Sequence, residues 1–197
     1  MRVSRAQAEE NRRAVIEAAG RLFRERGFNG VGLNDLMGAV GLTQGGFYKQ
    51  FKSKDDLAVQ ACERVLTDSA EKLAQLLETG DDPLPVIVDR YLSRNHRDRT
   101  SDGCIFASLG PDAARHSPDM IRSFENGIRS YLDVIGRATQ ASTGHAPHND
   151  PATILSTMVG ALVLSRLVED ETLSAHILDA AAKNLLGRSD SPGPEAS

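Results

Sequence analysis

GLTQGGFYKQFKSKDDL, residues 41–57, sets a glycine pair, three aromatic residues and three lysines inside sequence that is otherwise helical in pattern. Before it, Leu33, Leu36, Met37 and Val40 keep the spacing of one helix face over a short span, and Gly41 stops that helix. After it, Thr43 stands where a cap would open a helix through Phe51. Two short helices joined by the turn VGLT, within about 20 residues, have helix-turn-helix spacing, and Gly41 permits the sharp reversal. On the second of them Phe47 and Phe51 lie one turn apart and suit packing against Leu36, Val40 and Leu22. Gln44, Gly45, Tyr48 and Lys49 fall on the opposite side, a small, polar and cationic face suited to a major groove. Gly45 and Gly46 each cost about 1 kcal/mol of helix propensity relative to alanine. Close approach to a phosphate backbone or base edges would offset that cost, while a plain turn is the other reading of the pair.

The pattern outside this stretch is helical throughout, so the fold expected is all-α with about nine helices. From the cap Ser4, the positions Val15, Ile16, Ala19, Leu22 and Phe23 form one stripe that Gly27 ends. Ser53 caps a long helix whose stripe reads Leu57, Ala61, Val65, Ser69 and Leu73. Further helices are expected over 83–94, 104–115, from Pro118 with Ile121, Phe124, Ile128, Tyr131, Leu132 and Ile135 on one face, from Pro151, and over 173–186 closed by Gly187. No stretch alternates over strand length, and the tail SDSPGPEAS has the composition of a disordered segment.

Composition bounds the function. The chain has 197 residues, 40% hydrophobic and 25% charged, which is globular rather than disordered. Its net charge of −4 divides into +3 over residues 1–64 and −7 over 65–197, so the front is basic and the back acidic. The longest apolar run, residues 154–168, contains Ser156, Thr157, Ser165 and Arg166 and is too short for a membrane span. MRVSRAQAEENRR has no apolar signal core, which points to the cytoplasm. Cys62 and Cys104, 42 positions apart, give neither a metal spacing nor a disulfide framework.

Residues 27–57, GFNGVGLNDLMGAVGLTQGGFYKQFKSKDDL, resemble the N-terminal signature of TetR-family transcriptional repressors: a glycine-aromatic start, a turn glycine, then G-x-aromatic-Tyr, Phe and Ser-Lys. The resemblance implies a homodimer with a three-helix DNA-binding domain, placed at 1–52, and a helical domain at 53–188 that binds a small-molecule inducer and pairs through its last two long helices. Residues 189–197 are left as a tail. It implies that Thr43, Gln44, Gly46, Tyr48 and Lys49 lie at double-stranded operator DNA and that Lys54 meets a phosphate. Where the family has a capping Thr or Ser at the start of the second helix this chain has Gly32, which leaves Asn34 to contribute there. The helix opening at Ser53, belonging to both domains, is the expected lever.

The second half is less explicit. Tyr91, Cys104, Phe106, Phe124 and Tyr131, with Arg90, are the pocket candidates, and the inducer pocket is expected near Cys104 and Phe106. GCIFASLGPDAARHSP, residues 103–118, resembles a subgroup whose Gly-Cys opens this helix and whose cysteine, in some members, senses electrophiles; a small buried hydrophobe is the alternative. Gly160 and Ala161 suit either a dimer interface or packing within one subunit, and Arg166 suits a ligand anchor or an ion pair with Glu169 or Asp170. His145 and His148 lack the further ligands of a metal site, and no catalytic motif, cofactor motif or phosphate loop is present. A ligand-responsive repressor is the reading these features favour; a helical enzyme or scaffold reusing the motif is the alternative from another class.

Overall fold

The computed structural model describes residues 4–79, 82–142 and 150–188. Among them nine α-helices occur and no strand: α1 (Arg5–Arg26), α2 (Leu33–Gly38), α3 (Lys54–Gln75), α4 (Pro83–Tyr91), α5 (Arg94–Asp98), α6 (Ile105–Ala113), α7 (Pro118–Ala141), α8 (Pro151–Arg166) and α9 (Glu171–Leu186). Single 3-10 turns cover Gln44–Lys49 and Leu76–Glu78. Gly27, Gly41 and Gly187, read from sequence as helix stops, are the three glycines with positive φ among the described residues. Pro83, Pro118 and Pro151 each occupy the first helical position, where a missing N–H costs nothing. The helix expected over 83–94 ends at Tyr91, and the separate α5 was not foreseen. The HxxH loop and the C-terminal tail lie outside the described residues.

The described chain forms two compact units, Met1–Glu71 with Arg99–Arg129, and Lys72–Asp98 with Ser130–Ser197. In the first, Val15, Ala19 and Phe23 of α1 and Leu57, Ala61 and Leu66 of α3 are buried. The α3 stripe departs from the sequence expectation: Cys62, Leu66 and Ala70 are buried, whereas Val65, Ser69 and Leu73 are partly exposed. A helix turns 100° per residue, so four-residue steps drift by about 40° each and leave the buried face after two or three turns. Ser53 caps α3 as expected, accepting from the Asp56 N–H at 3.0 Å, while Asp56 accepts from the Lys52 N–H at 2.9 Å. That N–H is the main reason the Asp56 carboxyl sits below the ordinary range.

In the second unit α8 packs along α9, α4 also packs on α9, and α5 lies against α8. Ile154, Met158 and Leu162 face inward with Leu178, Leu185 and Leu186. Leu164 near the end of α8 and Leu167 just after it stand 55% and 74% exposed. Arg166 donates from Nε to the Arg97 carbonyl at 2.9 Å and from Nη2 to the His96 carbonyl at 3.0 Å, a role the expected pairing with Glu169 or Asp170 did not anticipate. Its charge thereby meets the negative end of α5. Asp170 caps α9 through the N–H groups of Thr172 and Leu173.

Close packing in the first unit depends on a glycine. A Cβ at Gly127 of α7 would meet Leu66 Cδ2 at 2.5 Å and its Cγ at 3.0 Å, with Leu66 only 3% exposed. Glycine is therefore what allows α7 to lie against α3. Gly127→Ala should lower stability by about 1–3 kcal/mol through overpacking, although alanine would raise it by about 1 kcal/mol on helix propensity alone; a denaturant titration decides the sign.

Candidate nucleic-acid interface

The Gln44–Lys49 turn is held by its aromatic residues. Phe47 is fully buried, its ring centroid 5.4 Å from that of Phe51. Phe51, 3% exposed, is closed over by the Arg12 guanidinium, 5.2 Å from the ring centroid, and Arg12 also donates to the Gln60 side chain. Leu36 and Met37 of α2, both fully buried, belong to the same core. The sequence reading of Phe47 and Phe51 as core therefore holds, but the segment is 3-10 and not α. Its i→i+3 bonds run from the Gly46 N–H to the Thr43 carbonyl at 3.0 Å and from the Gln50 N–H to the Phe47 carbonyl at 2.9 Å. Six residues containing two glycines cannot sustain several α-turns, so the tighter helix forms. Thr43 takes the N-cap position without a side-chain capping bond.

With Phe47 turned inward, Tyr48 is driven outward, 68% exposed, its ring edge-on to Phe47 at 5.1 Å. Thr43, Gln44, Gly45 and Lys49 are exposed beside it, and so is Asn34 on α2. Gly46 sits lower, 3.7 Å from Met37 Cε by the position a Cβ would take, whereas a Cβ at Gly45 would meet nothing within 4 Å. The expected phosphate ligand Lys54 is half-buried, its Nζ donating to the Phe28 carbonyl at 2.6 Å, so one of its three donors is engaged within the protein. At Gly32 the backbone N–H is taken by Asp35 Oδ2 at 2.8 Å, the reciprocal half of a capping box, while glycine supplies no side chain for the bond that a Thr or Ser would accept. Asp35 and Arg12 were not named from sequence. The spacing Gly32-x-x-Asp35 is a capping signature that could have revealed the first, while Arg12 is placed by the crossing of helices remote in sequence.

The five pocket candidates are all buried: Tyr91, Cys104, Phe106, Phe124 and Tyr131. Phe106 and Phe124 meet edge to face at 5.9 Å in the first unit. Cys104 is the N-cap of α6 rather than a member of its first turn. Arg24, whose Nε donates to the Ser101 carbonyl at 2.7 Å, places its charge near both thiols. Burial pushes the Cys62 thiol up to about 12, which keeps it protonated. Tyr91 belongs to the second unit and contacts His96, whose Nδ1 lies 2.7 Å from the Tyr91 carbonyl. A groove of about 480 Å³ in that unit is lined by none of the five; Asp89, Leu92, Arg94, Leu178, Asp179 and Arg188 are among its walls. No group of three metal-ligating side chains occurs among the described residues, and no described helix is long and apolar enough to cross a membrane.

Residues 15–61, which contain α1, α2 and the exposed 44–49 turn, match the family of bacterial regulatory proteins, tetR family. Over this segment the chain carries the sequence of a tetR-family regulatory domain. It is 25% identical over 135 residues to the HTH-type transcriptional repressor NemR of Escherichia coli (strain K12), covering 66% of this chain and 68% of NemR. The crystal structure of E. coli NemR in its reduced form superposes with a TM-score of 0.76 at 22% identity, over 92% of this chain and all of NemR. That of AibR in complex with isovaleryl coenzyme A and operator DNA gives 0.60 at 18% identity, over 89% and 98%. These likenesses bear out the TetR-like all-α fold with its N-terminal helix-turn-helix.

Gly45 separates a demand of folding from a demand of binding. Since a Cβ there has open space and φ is not positive, Gly45→Ala should leave the thermal midpoint unchanged or raise it. Should the turn seat against DNA, the same methyl would weaken operator binding about tenfold or more in a fluorescence titration.

Proposed function

We propose that this chain is a TetR-family transcriptional repressor that binds a pseudo-palindromic operator as a homodimer and is released by a small molecule. The observation that carries the reading is the 44–49 turn. Phe47 is fully buried, and Tyr48, Gln44 and Lys49 are displayed around an unobstructed Gly45. Thr43, Gln44, Gly46, Tyr48 and Lys49 would face the major groove, with Asn34 and the remaining donors of Lys54 toward phosphates. Two such turns, presented by two copies about 34 Å apart, fit successive major grooves on one side of a duplex. Residues 1–52 serve as the reading head and 53–188 as the ligand-binding and pairing part, acting in the cytoplasm without catalysis. NemR, named a repressor, and AibR, solved with operator DNA, are in keeping with this.

Release follows from linkage. An inducer that binds better to a conformer unable to place both turns in the groove must weaken DNA binding by the same coupling free energy. Phe106 and Phe124, which meet edge to face, are the apolar groups we assign to its site. A second reading, release by a soft electrophile at Cys104, rests on the place of that thiol at the N-cap of α6 with the Arg24 charge near it.

Tyr48→Ala and Lys49→Ala should each weaken operator binding by about 1–3 kcal/mol without lowering the thermal midpoint, and parent-like binding by both in a gel-shift titration refutes the recognition face. For the second reading, a soft electrophile should release the parent and Cys62→Ser but leave Cys104→Ser bound. Release of Cys104→Ser at the same dose restricts the inducer to a reversible, mainly apolar ligand.

A further inference from the structure

We propose that Arg12 of α1 is a positioning residue for the recognition turn: it fixes the exit of the 44–49 segment and thereby the placement of Tyr48 and Lys49 against DNA. The inference rests on the DNA-binding reading above and adds to it a residue from a different helix. After the turn the chain leaves through Phe51 and Lys52. The Phe51 N–H donates to the Phe47 carbonyl at 3.0 Å, so the Phe51 ring is tied by its own backbone to the turn. The Arg12 guanidinium lies 5.2 Å from the centroid of that ring. Its Nη2 donates to Gln60 Oε1, and Gln60 Nε2 donates to Asp56 Oδ1 at 2.8 Å. The other Asp56 oxygen accepts from the Lys52 N–H at 2.9 Å. One guanidinium thus reaches two successive residues of the exit, Phe51 at its ring and Lys52 through Gln60 and Asp56.

The relay has one polarity. Gln60 turns its carbonyl to a cation and its amide group to a carboxylate, so each of its two ends meets the partner it can bond. The Asp56 carboxyl sits below the ordinary range, chiefly through the Lys52 N–H, with Gln60 and the Arg12 charge acting in the same sense. It is therefore ionised at neutral pH. The burial of Phe47 sets how deep the turn sits, but six residues with two glycines hold their own shape weakly. A second fixed point beyond the turn removes the remaining freedom. Hydrogen bonds to base edges demand a defined distance and angle, so a face that can rock reads them less well. A cation on this domain has one competing use, a direct contact to a phosphate. That contact would contribute about 0.9 to the slope of log affinity against log salt, whereas a positioning role contributes nothing to it.

The test is a fluorescence titration of the full chain against the duplex that the parent selects from a randomised library, repeated over a series of salt concentrations. Each variant is measured at a temperature where its helical signal equals that of the parent. Arg12→Met keeps the aliphatic stem and removes the guanidinium; it should bind about tenfold more weakly with an unchanged salt slope. Gln60→Leu cuts the relay without altering any charge and should bind about threefold more weakly, again with an unchanged slope. Arg12→Lys keeps the charge but lacks the planar fork that spans the ring and Gln60, so it should stay below the parent. A slope lower by about one for Arg12→Met makes Arg12 a phosphate contact and overturns the proposal. Binding within about twofold of the parent by the folded Arg12→Met and Gln60→Leu, while Tyr48→Ala loses affinity, overturns it as well and leaves Arg12 a stability residue. If Arg12→Met does not fold, Arg12→Lys and Gln60→Leu decide by the same criteria. If the parent selects no duplex, or Tyr48→Ala and Lys49→Ala bind as the parent does, the DNA-binding reading fails and the proposal falls with it.

Discussion

The burial of Phe47 is the constraint on which the exposed reading face depends. A phenylalanine removed from water contributes about 1.5–3 kcal/mol, and its truncation in a packed core costs about 3–5 kcal/mol. That is enough to hold a six-residue turn whose own helix propensity is poor. Because Phe47 points inward, its neighbour Tyr48 points outward, and Gly45 remains uncovered. The side chains offered to a ligand are fixed by an apolar contact that never meets it. Phe51 extends the anchor, and the Arg12 guanidinium closes over it.

Charged groups in the first unit are used for placement more than for stability. Lys54 is drawn to the Phe28 carbonyl, Arg24 to that of Ser101, and His116 lies with its ring edge-on to Phe28 at 4.9 Å and its Nε2 3.7 Å from Asp55. Each of these ties the stretch after α1, or the stretch around α6, to a neighbouring helix. The corresponding groups of the second unit converge on Arg97, where the cation has a carboxylate, a neighbouring acid and a hydroxyl as partners. By contrast the surface pairs, such as Arg64 with Asp68, are exposed and worth a few tenths of a kcal/mol.

Much of this could be read from the sequence because it is local. Helix stops at Gly27, Gly41 and Gly187 follow from the ease with which glycine takes positive φ, caps at Ser4 and Ser53 from one hydroxyl and one N–H, and the all-α fold from the 3.6-residue period. The division of the 44–49 turn into an inner and an outer side was also legible from spacing, since residues four apart, as Phe47 and Phe51 are, fall on one face of an α-helix.

What tertiary structure decided was the outcome wherever distant segments compete for one side chain. Which residues of α3 are buried follows from which helices lie against it. The partner of Lys54, the need for glycine at Gly127 and the fork of Arg97 on Glu171 and Ser174 each join residues that local pattern leaves undetermined among several polar or packing choices. The sequence determined which helices form and which of their faces are apolar, because hydrogen bonding and burial within a helix are local. Only the fold decided which charges are buried and which leucines are left uncovered, because desolvation depends on what every other segment has already covered.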